Sequence, residues 1–296
     1  MKSYWDITGD AGSNVAAQVE AQSARLRGRM ASIRRKIAVV SGKGGVGKST
    51  VTANLAAALA MQDLRVGVLD ADVNGPSMGK LLGVRGRSLQ TSQDGIVPPE
   101  GPMGIKVVSM DLLLPSDETP VTWHGPGQQE SFMWRGMMEV NALREFLADT
   151  AWGELDLLLV DLPPGTDRIS HLTALLPDMA GCLIITVASE VSHLIVKKAV
   201  SAVRDAHWAP TLGLVENMGR FICGHCGAAE EMFPGGDTAA MAAAMSIPFL
   251  GSVAFDPRLA AASDRGVPFI LSHPDTPAGE ALLRIARTIQ KQMEAA

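Results

Sequence analysis

The sequence predicts an α/β fold with a mostly parallel central sheet and helices on both faces. Three observations carry this. From Ile37 onward, short apolar runs alternate with longer segments of helical period. A glycine-rich stretch joins the first run to the first helical segment, and several runs end in a carboxylate. Strands that are apolar at every position are buried on both faces, as in parallel sheets covered by helices.

The elements follow in order. Lys36–Ser41 (KIAVVS) reads as a buried strand, Lys48–Gln62 as a helix rich in Ala and Leu, and Arg65–Asp70 as a second strand. Val73–Gly104, punctuated by Gly and Pro, reads as irregular surface structure. Further strands are expected at Ile105–Met110, Asp156–Asp161, Cys182–Val187, Thr211–Glu216 and Phe249–Val253. Helices are expected at Met138–Asp149, Val191–Ala206, Asp237–Met245 and Ala278–Ala295. No repeat or linker divides this region, so residues 36–296 form one domain behind an N-terminal extension, 1–35. Within the extension Val15–Met30 suits a helix. The basic cluster of Arg25, Arg27, Arg29, Arg34, Arg35 and Lys36 reads as a solvated lead into the first strand.

Composition narrows the function classes. Of 296 residues, 47% are hydrophobic but only 4% aromatic, so an aliphatic core is expected. A net charge of −5 argues against a nucleic-acid surface. Three cysteines make no disulfide scaffold and point to a reducing compartment. Apolar runs such as Gly181–Ala188 are too short to span a bilayer. The N-terminus, with Asp6 and Asp10, lacks the apolar stretch of a signal peptide. The expectation is a cytoplasmic protein with neither membrane nor nucleic acid as partner.

Directly after the first strand stands Gly42-Lys43-Gly44-Gly45-Val46-Gly47-Lys48-Ser49-Thr50, a full G-x-x-x-x-G-K-[ST] pattern between strand and helix. Glycines let the backbone curl so that successive N–H groups face phosphate oxygens, and the following helix N-terminus adds to that field. Lys48 is expected on the β- and γ-phosphates and the Ser49 hydroxyl on Mg²⁺. This makes the fold class a P-loop NTPase. Asp70 and Asp72 close the second strand at the carboxyl edge, where α/β folds bind ligands. Asp161 closes another apolar strand, the place of a Walker B carboxylate, and leads into Leu162-Pro163-Pro164-Gly165.

Cys223-Gly224-His225-Cys226 follows the strand at Thr211–Glu216. By itself C-x-x-C serves zinc, iron–sulfur or redox chemistry. Zinc and a [4Fe–4S] cluster each need four ligands, reached if two chains each give Cys223 and Cys226 across a two-fold axis. Cys182 lies within an apolar run and reads as a core residue.

The spacing KGGVGK resembles the deviant Walker A motif of the MinD/ParA/nitrogenase iron-protein superfamily, which implies an ATP-sandwich dimer with Lys43 acting on the partner's nucleotide. The chain more closely resembles the Mrp/ApbC family of iron–sulfur cluster carrier ATPases, from about Ile37 to the C-terminus. The likeness is carried by SGKGGVGKST at Ser41–Thr50, LDADVNGPSMGKLLG at Leu69–Gly83, MWRG at Met133–Gly136, WGELDLLLVDLPPGT at Trp152–Thr166, VENM at Val215–Met218 and the C-x-x-C. The resemblance implies a homodimer that hydrolyses ATP slowly to ADP and phosphate. It also implies a [4Fe–4S] cluster held between the two C-x-x-C pairs and passed to apo iron–sulfur proteins. It makes Asp72 the residue that positions the attacking water, Asp161 the one that orients Mg²⁺-bound water, and Asn217 the reader of adenine. Asn217 and Cys223, six residues apart, would then share one loop.

The chain departs from the family at Gly165-Thr166-Asp167-Arg168, where Gly-Thr-Gly-Asp is usual, and at Met137, where Pro is usual. Two other readings remain open. A zinc-bridged regulatory ATPase keeps the cysteines and changes the metal. A MinD- or ParA-like positioning ATPase could use the terminal stripe Leu282, Ile285, Ile289 and Met293, with Arg284, Arg287 and Lys291, on a membrane.

Overall fold

The computed structural model describes residues 15–87, 89–116, 118–122, 132–165, 169–223, 225–226, 228–233 and 236–295. In chain order its elements are α1 (Val15–Ala31), β1 (Ile33–Ser41), α2 (Lys48–Ala60), β2 (Val66–Asp70), α3 (Met78–Leu81), β3 (Gln90–Ser92), β4 (Gly95–Val97) and β5 (Lys106–Val108). Then come α4 (Phe132–Ala148), β6 (Leu155–Asp161), α5 (Ile169–Thr173), β7 (Gly181–Thr186), α6 (Glu190–Asp205) and β8 (Thr211–Ile222). The chain closes with β9 (Ala229–Glu231), α7 (Thr238–Ala244), β10 (Phe249–Phe255), α8 (Pro257–Asp264), α9 (Phe269–Ser272) and α10 (Pro277–Ala295).

The main sheet runs β10-β8-β7-β1-β6-β2-β5, with every pair along it parallel and β9 antiparallel to the end of β8. Pleating splits β1 between two cores: Ile37 and Val39 enter one, Ala38 and Val40 the other. The first core is roofed by α2 and α10, the second by α1, α4 and α5. Helix α2 is buried from Val51 through Ala60, and its alanines fit that crowded site. The phosphate-loop strand β1 lies mid-sheet between β6 and β7, so the loop after it opens at the carboxyl edge.

Several boundaries differ from the sequence reading. β1 starts at Ile33, and the basic cluster is not simply solvated. Lys36 is buried with Nζ donating to the Met30 carbonyl at 3.3 Å, Arg35 is half-buried and donates to the Met293 carbonyl, and Arg25 pairs with Asp149 at 3.1 Å. Val73–Gly104 contains the turn of helix α3 and the β3–β4 hairpin. α4 begins at Phe132, six residues early, and carries Gly136 within it. α8 and α9 were unforeseen, although Asp256 caps α8 with an acceptor for the Arg258 N–H and Pro257 occupies its first turn. Most consequentially, β8 continues six residues past Glu216, because β9 and Phe255 of β10 pair with its end.

The terminal stripe is committed inward: Leu282, Ile285 and Ile289 are each 1% exposed and belong to the first core. That removes the surface on which the positioning reading relied. Among the described residues no helix is long and apolar enough to cross a membrane.

Candidate functional site

The loop Gly42–Ser49 curls over the N-terminus of α2, with Gly45 and Gly47 both at φ 78°. That left-handed conformation suits glycine and would strain a residue with a Cβ. Gly47 meets a second demand, since a Cβ there would overlap the Asn217 amide. Lys43 through Thr50, with Ser41, Asp72 and Pro164, line a cleft of about 240 Å³ at the carboxyl edge.

Beneath the Lys48 and Ser49 that line it, Asp161, fully buried, gathers three donors. Lys48 Nζ stands 2.5 Å from Oδ2, Ser49 Oγ 2.6 Å from the same oxygen, and Thr52 Oγ1 2.7 Å from Oδ1. Lys48, Ser49 and Asp161 were foreseen; Thr52 was not. Its signal was its place four residues after Lys48, one helical turn on, where the Lys48 carbonyl lies 3.0 Å from its hydroxyl and competes with Asp161 for the one proton. Ser49 and Asp161 together offer oxygen donors alone, the donor chemistry that Mg²⁺ takes.

Asp70 stands beside Asp161 in register across β2 and β6. It is 1% exposed, and burial, seconded by the Asp161 charge, pushes its pKa up to about 7. Its oxygens accept from the Ser77 N–H at 2.8 Å, the Ser109 hydroxyl at 2.9 Å, the Met78 N–H at 3.0 Å and the Asp72 N–H at 3.1 Å. β2 ends at Asp70, so a loop and not strand alternation sets the place of Asp72. That loop lies on Asp70 and is pinned again where Asn74 Nδ2 donates to the buried Glu139 of α4 at 2.7 Å. Asp72 itself accepts the Gly75 N–H and faces the cleft. Glu139 and Asp70 are supports that the sequence reading did not assign. Thr166, Asp167 and Arg168 lie outside the described residues, as do the side chains of Met133, Trp134 and Arg135.

Lys43 is half-buried on the cleft wall. Asn217 is 5% exposed, and its Nδ2 donates to the Val46 carbonyl at 2.9 Å. It therefore lies on β8 and touches the phosphate loop itself.

Beyond Asn217, β8 and β9 form a hairpin whose turn carries the cysteines. The Cys223 N–H donates to the Ala228 carbonyl at 2.9 Å and closes that turn. Cys223 is half-buried and Cys226 exposed. The backbone N–H groups of Cys226 and His225, then the Cys226 thiol, hold the Cys223 thiol below its ordinary pKa, which favours the thiolate that binds metal. Cys182 is sealed in β7, and burial pushes its pKa up to about 12. Among the described residues no group of three or more His, Cys, Asp or Glu side chains could hold a metal.

Comparison with known proteins agrees with this layout. A family described as ParA: NUBPL iron-transfer P-loop NTPase matches residues 32–131 and 127–290. The iron-sulfur cluster carrier protein of Saccharolobus solfataricus is 45% identical over 281 residues, 95% of this chain and 91% of that one. Its namesake from Methanocaldococcus jannaschii is 41% identical over 274 residues, 92% and 90% of the two chains. Among solved structures, the nucleotide-binding protein in complex with ADP from Archaeoglobus fulgidus shares 35% identity at a TM-score of 0.70, covering 83% of this chain and 91% of that one. The septum site-determining protein MinD with Mg-ADP from Pyrococcus horikoshii, 19% identical at 0.59 over 87% and 96%, shares the fold. With the phosphate loop intact and the match running from β1 to α10, the chain belongs to the NUBPL-type iron-transfer P-loop NTPases of the ParA group.

Proposed function

We propose that this chain is an ATP-hydrolysing carrier that holds a [4Fe–4S] cluster between the cysteine pairs of two copies and passes it to apo-proteins. The observation that carries the reading is the hairpin tip. Two accessible thiols, one with a lowered pKa, stand at the end of the strand that touches the phosphate loop. Such a cluster takes four thiolates. With Cys182 buried in β7, one chain offers two, and a two-fold axis supplies the others.

On the nucleotide side, the N–H groups from Gly42 through Thr50 cradle the phosphates, and Lys48 holds the β- and γ-phosphates once it exchanges Asp161 for them. Ser49 and Asp161 would hold Mg²⁺, which neutralises phosphate charge when bound. Asp72 orients a water for in-line attack on the γ-phosphorus; the bond to the β–γ bridging oxygen breaks, giving ADP and phosphate. Each copy's Lys43 reaches the other's nucleotide. Asn217 marks the base end of the site: one N–H of its amide holds the Val46 carbonyl, and the second N–H with Oδ1 reads adenine. The cluster moves by exchange of thiolates and needs no covalent step on the protein.

Anaerobic reconstitution with iron and sulfide tests the reading in the wild type and in a Cys223→Ala/Cys226→Ala variant. The expected result is a broad thiolate–iron band near ~400 nm in the wild type, lost in the variant, at about four irons per two chains. A colourless protein, with zinc or with no metal, overturns the carrier and leaves a nucleotide-driven switch.

A further inference from the structure

Asn217 lies within β8 and Cys223 directly follows its end, so strand rather than loop joins the two. β8 pairs with β10 through Val253↔Asn217 and then Phe255↔Phe221, so four residues of one strand answer two of the other. Met218, at the start of this bulge, is a non-glycine residue at φ 56°. Past the bulge the strand is regular again: Phe221 pairs with Glu230, Ile222 with Ala229, and the turn closes from Cys223 to Ala228. The strands that lead to the cysteines are thus paired, and they join the sheet at a point where the β8–β10 ladder is interrupted.

Just before that joint the strand is fastened to the phosphate loop. Asn217 donates to the Val46 carbonyl, and Gly47 presses so near that a Cβ would overlap the Asn217 amide and touch Met218 Cε at 3.4 Å. Phosphate drawn onto the loop N–H groups would pull on the peptide that carries the Val46 carbonyl. A base read by the second N–H and Oδ1 of Asn217 would turn the same amide that holds Val46. Both events disturb one fastening.

We propose that Asn217 is a positioning residue that clamps the Val46–Gly47 corner to β8, and that through the Met218 bulge it makes the geometry of Cys223 and Cys226 depend on what the loop holds. This rests on the carrier reading for its purpose but not for its test. The test uses the full chain without cluster, anaerobically, with 5,5′-dithiobis(2-nitrobenzoate) as thiol probe. Cys182 is buried, so the rate reports Cys223 and Cys226. In the wild type, saturating ATP–Mg²⁺ is expected to change the rate about fivefold. In Asn217→Ala, with ATP binding verified by titration, the two rates are expected to coincide. Met218→Gly keeps the clamp and frees the joint, and its response is expected to shrink; it decides the matter if Asn217→Ala binds no ATP. An unresponsive wild type, or variants that respond as fully as the wild type, overturns the proposal. A responsive hairpin that takes up no iron would retain the coupling and refute the cargo.

Discussion

Lys48 Nζ lies 2.5 Å from Asp161 Oδ2, and neither side chain is more than 7% exposed. The loop lysine and the acid at the end of β6 thus form a buried ion pair, which nucleotide binding would have to part in the proposed mechanism. Removing one partner of such a pair typically costs about 3–5 kcal/mol, because the other is left buried and charged. Here Ser49 and Thr52 still donate to Asp161 and offset part of that cost. Lys48→Ala is therefore expected to abolish ATP hydrolysis while the chain still folds, with a lowered Tm. Phosphate release and thermal unfolding on the same sample check both halves, and normal turnover would remove Lys48 from the mechanism.

Asp70 carries a pH signature. Its folded pKa, pushed up to about 7, lies above that of an unfolded aspartate, so the folded chain holds the proton more tightly. Its contribution to stability is full below the unfolded pKa and is lost as pH rises through about 7. The loss is on the order of a few kcal/mol. Denaturant unfolding at pH 5 and pH 8 is expected to show a decline in the wild type that Asp70→Asn largely lacks. In that variant the amide nitrogen faces either the Ser77 and Met78 N–H groups and the Ser109 hydroxyl, or the Asp72 N–H, so kcat is also expected to fall more than KM for ATP rises, as the Asp72 loop loosens. A wild-type pH dependence in Asp70→Asn would place the titrating group elsewhere.

Gly47 answers to backbone and neighbour at once. Alanine at φ 78° costs about 1–2 kcal/mol, and its Cβ would collide with the Asn217 amide. Gly47→Ala is expected to weaken ATP binding at least about tenfold, a difference of about 1.4 kcal/mol. Gly45→Ala shares the φ of 78° but meets nothing within 4 Å, so it is expected to weaken binding less. Equal losses in the two would make the backbone conformation alone responsible.

How much of this was legible follows from how local each cause is. The phosphate loop was readable because its chemistry is consecutive, and Asp161 because an acid ending an apolar strand is conspicuous. The reach of β8 was not, since its last six residues owe their conformation to β9 and Phe255, partners that periodicity within β8 cannot reveal. Asp70 was visible as a strand end, but its role comes from Ser77, Met78 and Ser109 folding over it. The stripe on α10 was equally apolar for a membrane or a core; packing on the first core decided it. The Arg35–Lys36 cluster failed the other way, because charge alone hid two backbone carbonyls within reach.

Thr52 is the Asp161 partner that sequence reading passed over, and it separates holding the acid from binding the phosphate. Its hydroxyl donates to Asp161 Oδ1, on the far side from Lys48 and Ser49, so it fixes the rotation of the carboxylate without lining the cleft. Thr52→Val keeps the shape and removes that donor, and a hydrogen bond to a charged group contributes about 1.5–3 kcal/mol. With Oδ1 unpaired, the carboxylate can turn away from Ser49 and blunt the pair of oxygens suited to Mg²⁺. Thr52→Val is therefore expected to raise the Mg²⁺ concentration for half-maximal ATPase several-fold, while ATP binding in EDTA stays near wild type. Lys48, proposed to act on phosphate directly, is expected to show the reverse pattern when replaced, losing ATP binding with or without Mg²⁺. A Thr52→Val chain with wild-type Mg²⁺ dependence would mean that Ser49 and Lys48 alone orient Asp161.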